Sequence, residues 1–197
     1  MNIVVCQNKK QEMIDLFATV DRRNKYKLYI ASCYFNSRSA TYFIGGIADK
    51  IRITGVNIYI DKKEAIKIGK PRLIRWIASA RNRFEIEVNL YPVNESSIFH
   101  AKAYALVADS PGNPPGGMLI VGSANLTGAG LTSAHGNVEA MLATTEALEI
   151  DSFRNSLMML QTTHISEIDR FANIDNFDLQ VCSVTKRLFY LQMEWYP

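Results

Sequence analysis

The chain has 197 residues, of which 48% are hydrophobic and 21% charged, with 22 Lys and Arg against 19 Asp and Glu. That size and balance suit one globular domain with a single large core. They are those of a soluble globular protein, and no apolar run reaches the roughly eighteen residues that a membrane-spanning helix needs. The opening residues 1–7 lack the basic segment and cleavage pattern of a secretory signal. Cys6, Cys33 and Cys182 are odd in number and form no Cys-x-x-Cys pair. They read as reduced core residues of a cytoplasmic protein. Charge is shared unevenly: residues 1–100 hold 17 Lys and Arg against 9 Asp and Glu, and residues 101–197 hold 5 against 10. A basic half suits a partner with a phosphate backbone.

Taken in order, residues 11–23 place Met13, Leu16, Phe17 and Val20 on one helical face. Residues 27–35 read as a strand, and Ala40, Phe43, Ile44 and Ile47 mark a core-facing helix over 37–50. Residues 56–60 are a short apolar run of the kind that parallel sheets bury on both faces. Residues 62–70 suggest a short helix, and Pro71 opens another with Leu73, Ile74 and Ile77 inward. Residues 84–90 alternate, Phe84, Ile86, Val88 and Leu90 opposite Glu85, Glu87 and Asn89, which predicts a strand. This rhythm predicts an α/β layered sandwich with a mixed, mainly parallel sheet flanked by helices, as one domain over residues 1–197. Ile150, Phe153, Leu157 and Leu160 predict a late helix. The aromatic-rich ending, residues 178–197, reads as an edge strand, a dimer contact or the lead into a domain that this chain lacks.

The densest basic stretch comprises Lys62, Lys63, Lys67, Lys70, Arg72, Arg75, Arg81 and Arg83. It is either a solvated helix surface or, if its helices border a site, the wall of a nucleic-acid groove.

Chemistry concentrates between Phe99 and Glu139. Residues 100–104 read as the start of a strand, on which His100 and Lys102 share one face while Ala101, Ala103 and Ala105 pack under helices. A Gly/Pro loop over 110–117 reverses the chain into the apolar strand 118–121, which ends at Gly122-Ser123-Ala124-Asn125. A third strand, 138–143, would bring Glu139 to the same rim. An imidazole can serve as nucleophile or general acid. A lysine ammonium, a hydroxyl and an amide can hold a phosphoryl group as its charge rearranges. A carboxylate can orient a histidine. No cluster with metal-ligand spacing accompanies them, so the expected chemistry is metal-independent and needs no cofactor. His135, in the loop beside the motif, is a possible substrate contact, and His164 is given no role.

His-x-Lys, then Gly-Ser-x-Asn, then Asn-x-Glu resembles the phospholipase D superfamily, and residues 120–127 resemble the form found in its bacterial nucleases and restriction endonucleases. The matching motif covers about forty residues. The resemblance implies that His100 is the nucleophile, forming a phosphohistidine, that Lys102, Ser123 and Asn125 bind the phosphate, and that Glu139 supports the histidine. One departure stands out. The family's full motif has an Asp six residues after the His, where this chain has Leu106; Asp109 does not take that place. The nuclease branch often lacks that Asp and uses the later Glu.

Family members with two motif copies pair them in one site. This chain has one copy, so the expectation is a twofold homodimer in which both His100 side chains face one phosphate. The implied function is a DNA endonuclease, with RNA left open, and with specificity supplied by loops or by a separate domain or subunit. A phospholipase or phosphatidyl transferase with the same chemistry is the enzyme alternative. A non-catalytic phosphate- or DNA-binding module is the other.

Overall fold

A seven-stranded sheet organises the computed structural model of the chain, which describes residues 2–6, 9–93, 99–109, 115–132 and 139–164, and side chains within 11–160. Expectations for His135, Val138, Cys182, the Cys6 and His164 side chains and residues 178–197 lie outside what is described. In chain order the elements are β1 (Asn2–Cys6), α1 (Lys9–Phe17), β2 (Tyr26–Ser32), α2 (Ser37–Ala48), β3 (Ile53–Asp61), α3 (Lys62–Ile68) and α4 (Lys70–Phe84). There follow β4 (Glu87–Val93), β5 (Lys102–Ala108), β6 (Gly117–Gly122), a π-helical turn (Gly128–Thr132), β7 (Glu139–Thr144) and α5 (Ala147–His164). No helix among the described residues is long and apolar enough to cross a membrane.

The strands lie in the order β1-β7-β6-β5-β2-β3-β4. The layered α/β sandwich with a mixed sheet is as expected, but the balance of strand directions differs. β2, β3 and β4 are parallel, whereas the pairings of β1 with β7, β7 with β6, β6 with β5 and β5 with β2 are antiparallel. The reason is connectivity. A parallel return needs a crossover helix, and only the first half of the chain supplies helices between its strands. After β4 the chain turns back on itself, and β5 docks on the free edge of β2.

The sheet is covered on both faces. Strand alternation sends Leu28, Ile30, Val56, Ile58, Tyr104, Leu106 and Ile120 toward Met13, Phe43, Ile44, Ile47 and Ile77 of α1, α2 and α4. The opposite parity sends Ala103, Ala105, Val107 and Tyr59 toward Ile150 and Leu157 of α5. The alanines of β5 let α5 approach closely, as their size suggested.

Caps set the helix boundaries. The Asn36 side chain accepts a hydrogen bond from the Ser39 backbone N–H and starts α2. Pro71 sits in the first turn of α4, where its missing N–H costs nothing. The strand expected over 84–90 begins later. Phe84 continues the Leu73, Ile77, Ala80 stripe and closes α4, and Glu85 then adopts a left-handed conformation (φ 54°) that ends the helix. Residue 84 satisfies both the helical and the alternating period, and the helix takes it. β4 starts at Glu87.

Candidate active site

Strand direction brings five chain segments to one end of the sheet. β2 and β3 end there, β5 begins there, β6 ends there and β7 begins there, as the register Ser32↔Lys102, Ala103↔Val121 and Gly122↔Met141 requires. Lys102, Ser32 and Glu139 share strand parity with Tyr104, Ile30 and Met141, so all three face the α2 side of that rim.

His100 is exposed and lies before β5, not within it, since the strand starts at Lys102. The pair nonetheless meets. The Lys102 Nζ lies 3.0 Å from His100 Nε2 and 3.2 Å from Nδ1, and donates to the His100 carbonyl at 3.3 Å. A neutral imidazole accepts such a bond at the nitrogen without a proton. On the neighbouring segment, Ser123 and Glu139 form a pair: the Ser123 hydroxyl donates to Glu139 Oε2 in a very short hydrogen bond, and the Ala140 N–H donates to Ser123 Oγ at 3.3 Å. Glu139 is buried. No hydrogen bond among the described residues joins it to His100 of the same chain. Ser123 is therefore held against β7 by its own hydroxyl.

Asn125 belongs to a loop clamped from below. The Tyr34 N–H donates to Asn125 Oδ1 at 3.4 Å, the Asn36 N–H to the Leu126 carbonyl at 2.8 Å, and the Tyr104 hydroxyl to the Ala124 carbonyl at 2.8 Å. With Oδ1 taken by the Tyr34 N–H, the donors that the Asn125 amide can offer a phosphate are its Nδ2 hydrogens. Burial pushes the Tyr104 hydroxyl far above the usual phenol range, with the nearby Glu139 carboxylate adding to the effect, so it serves here as a neutral donor.

Three positioning groups carry no clear mark in the motif. Ser32 is fully buried; its Oγ donates to the Tyr34 carbonyl at 2.6 Å and accepts from the Leu126 N–H at 2.8 Å. It ties the β2 exit to the Asn125 loop across 94 residues, and no local pattern signals such a bond. Asp61, 6% exposed, accepts from the Lys63 N–H and from the buried Phe99 N–H, each at 2.8 Å. It caps α3 and fixes the residue before His100. Its sequence signal was an Asp directly ahead of a helical pattern. Gly130 is the third: a Cβ there would collide with the carbonyl oxygen and amide nitrogen of Asn125. Gly130→Ala is expected to push the Asn125 loop outward, costing about 1–3 kcal/mol in stability, which chemical denaturation would read.

Cys33 follows Ser32 and is buried with a free thiol. Burial raises its pKa, against the pull of the nearby Lys102 ammonium. At pH 8 the folded chain should hold less Cys33 thiolate than the unfolded one. Peptide-resolved alkylation with iodoacetamide is expected to leave Cys33 unmodified until denaturant is added; rapid native labelling would contradict this.

Six residues after His100 stands a core leucine: Leu106 is fully buried on the α2 side of β5. Asp109 lies at the opposite end of that strand, where Thr54 donates to it at 3.0 Å. Among the described residues no group of three His, Cys, Asp or Glu side chains gathers as a metal site would require.

The architecture is the phospholipase D fold. It matches NucT from Helicobacter pylori with a TM-score of 0.56 at 14% identity, over 84% of this chain and 97% of that one. It matches Nuc from Salmonella typhimurium, a phospholipase D family member, with a TM-score of 0.51 at 14% identity, over 83% and 95%. Polyphosphate kinase from Porphyromonas gingivalis matches with a TM-score of 0.56 at 11% identity, over 84% of this chain and 27% of the kinase. No protein-family model and no curated protein matches the chain. At these identities the likeness is one of fold.

Proposed function

We propose that this chain is a metal-independent phosphodiesterase, a DNA endonuclease acting through a phosphohistidine at a site shared by two copies. The observation that supports this most is the contact of the Lys102 ammonium with the His100 imidazole, on the rim that also carries Asn125 and the Ser123–Glu139 pair. A nucleophile beside a cation and an amide donor suits a phosphodiester, whose negative charge rearranges during transfer.

In the proposed cycle one His100 nitrogen attacks phosphorus, forming a P–N bond as the P–O bond to the leaving oxygen breaks. That oxygen takes a proton from the partner's His100. The same imidazole then removes a proton from water, which attacks phosphorus and breaks the P–N bond, releasing the first histidine. Lys102 and the Asn125 Nδ2 group hold the non-bridging oxygens. Glu139 orients Ser123 through Oε2, and we assign Oε1 to orienting a histidine once the dimer closes. The two imidazoles must hold different protonation states together, so the rate is expected to be bell-shaped in pH, and a flat profile from about pH 5 to 9 would count against the shared site.

The test is cleavage of supercoiled plasmid in excess EDTA, with sedimentation to read the oligomer and an alkaline detergent quench to trap label on the protein, which acid should then release as expected of a P–N bond. Nicked or linear product and labelled protein are expected. DNA binding with no cleavage after long incubation would favour a phosphate-gripping module. Discrete fragments would mark sequence recognition, and a smear its absence.

A further inference from the structure

Beside the rim lies a pocket of about 300 Å³ that the catalytic reading leaves unused. Its floor is apolar: Phe35, Leu73 and Trp76, with the Phe35 and Trp76 rings edge to face at 4.9 Å. Asn36 and Ser37 line one wall, and the cations Lys67 and Arg72 line the other. Lys67 has a loose ion pair with Glu64 at 3.9 Å, and its side chain is 78% exposed, so its ammonium remains open to a second anion. The pocket adjoins the site through the backbone. Phe35 bridges Leu126, and its neighbour Tyr34 donates to Asn125. Phe35 of the pocket floor directly follows Tyr34, the residue that touches Asn125, so the two Cα atoms are about 3.8 Å apart.

We propose that this pocket takes one nucleotide of a single-stranded stretch of substrate, next to the phosphate to be cut; this deepens the nuclease reading and rests on it. The chemistry is divided in the way a nucleotide is. An apolar aromatic floor suits the face of a base, and two cations suit its phosphate. The volume is at the lower end for small-ligand sites, which one nucleotide fills. A base paired in a duplex keeps its faces stacked and cannot enter a concave pocket, whereas an unpaired base can. Of the basic stretch, Lys67 and Arg72 line the pocket, while Arg81 donates to the Val88 carbonyl on β4.

The experiment measures binding of a fluorescein-labelled 12-residue oligothymidylate, and of a duplex of the same length, to the chain carrying His100→Ala, over a range of salt. Three further variants are made in that background. Lys67→Ala/Arg72→Ala removes the two cations, and Ser37→Trp fills the pocket without changing charge. Arg22→Ala/Lys25→Ala removes two cations beside the start of β2, the strand end away from the rim. The first pair is expected to weaken single-strand binding about tenfold or more and to lower the salt slope by roughly 0.7, the value for one neutralised phosphate on a single strand. Ser37→Trp should weaken it about 5- to 100-fold, the range for losing one stacked base. The distant pair should leave the slope unchanged. Equal effects of the two cation pairs, or no effect of Ser37→Trp, would overturn the pocket. Duplex bound as tightly as single strand would overturn the single-strand assignment. Plasmid cleavage by the wild-type chain is read separately, so a failed pocket with intact cleavage is distinguishable from a failed nuclease reading.

Discussion

Replacing His100 by alanine is expected to lower cleavage by about 10⁴-fold or more, the scale on which nucleophile–base systems lose activity when one member goes. His100 is exposed and lies outside any strand, so the fold should not change, and circular dichroism and melting should match the wild type. Mixing the two forms extends the test. If both histidines serve one phosphate, only the wild-type homodimers of a one-to-one mixture exchanged to equilibrium are active, about a quarter of the activity of pure wild type at the same total concentration. Two independent sites would retain half. A variant with undiminished activity would remove His100 from the chemistry altogether.

The second large effect is expected at Asp61, which touches no substrate in the proposed cycle. Asp61→Ala removes the cap of α3, worth about 1 kcal/mol. It also leaves the buried Phe99 N–H without its acceptor, worth about 1–3 kcal/mol more. The melting temperature should fall by roughly 10 °C. Because Phe99 immediately precedes His100, kcat should also fall, by about 10²-fold for a misplacement near 1 Å. KM for an oligonucleotide should move much less, because Arg72 on α4 and Asn125 are untouched and Lys67 lies in the last turn of α3, away from the lost cap. Asp61→Asn keeps an acceptor and should recover part of both losses. A variant that loses stability but keeps kcat would make Asp61 purely structural.

Both expectations rest on features of very different legibility. The His100–Lys102 spacing is readable because a motif is local and its residue types are chemically unusual together. The helices over 37–48 and 70–84 are readable because one apolar stripe at period 3.6 can be satisfied in only one way, by facing the sheet. Phe84 misleads because, seven residues beyond Ile77, it fits both a helix stripe and a strand alternation. His100 falls outside its expected strand because residues 100–104 alternate, whereas ladder pairing with Ser32 starts only at Lys102. Strand direction is hardest. A buried apolar run looks the same in a parallel and an antiparallel ladder, and the difference lies in which edge the returning chain finds free.

The sequence by itself determined the α/β character, the covered sheet with its alanine-lined face, and the set of groups able to handle a phosphodiester. Those follow from side-chain chemistry and from periodicity, which act over a few residues. Only the tertiary structure decided that Ser32 and Asp61 hold the rim, that Ser123 pairs with Glu139, and that Lys67 and Arg72 reach a pocket beside Asn125. Those bonds join residues as far as 94 apart. Partners so distant are chosen by which strand ends meet at one edge of the sheet, and no local pattern carries that information.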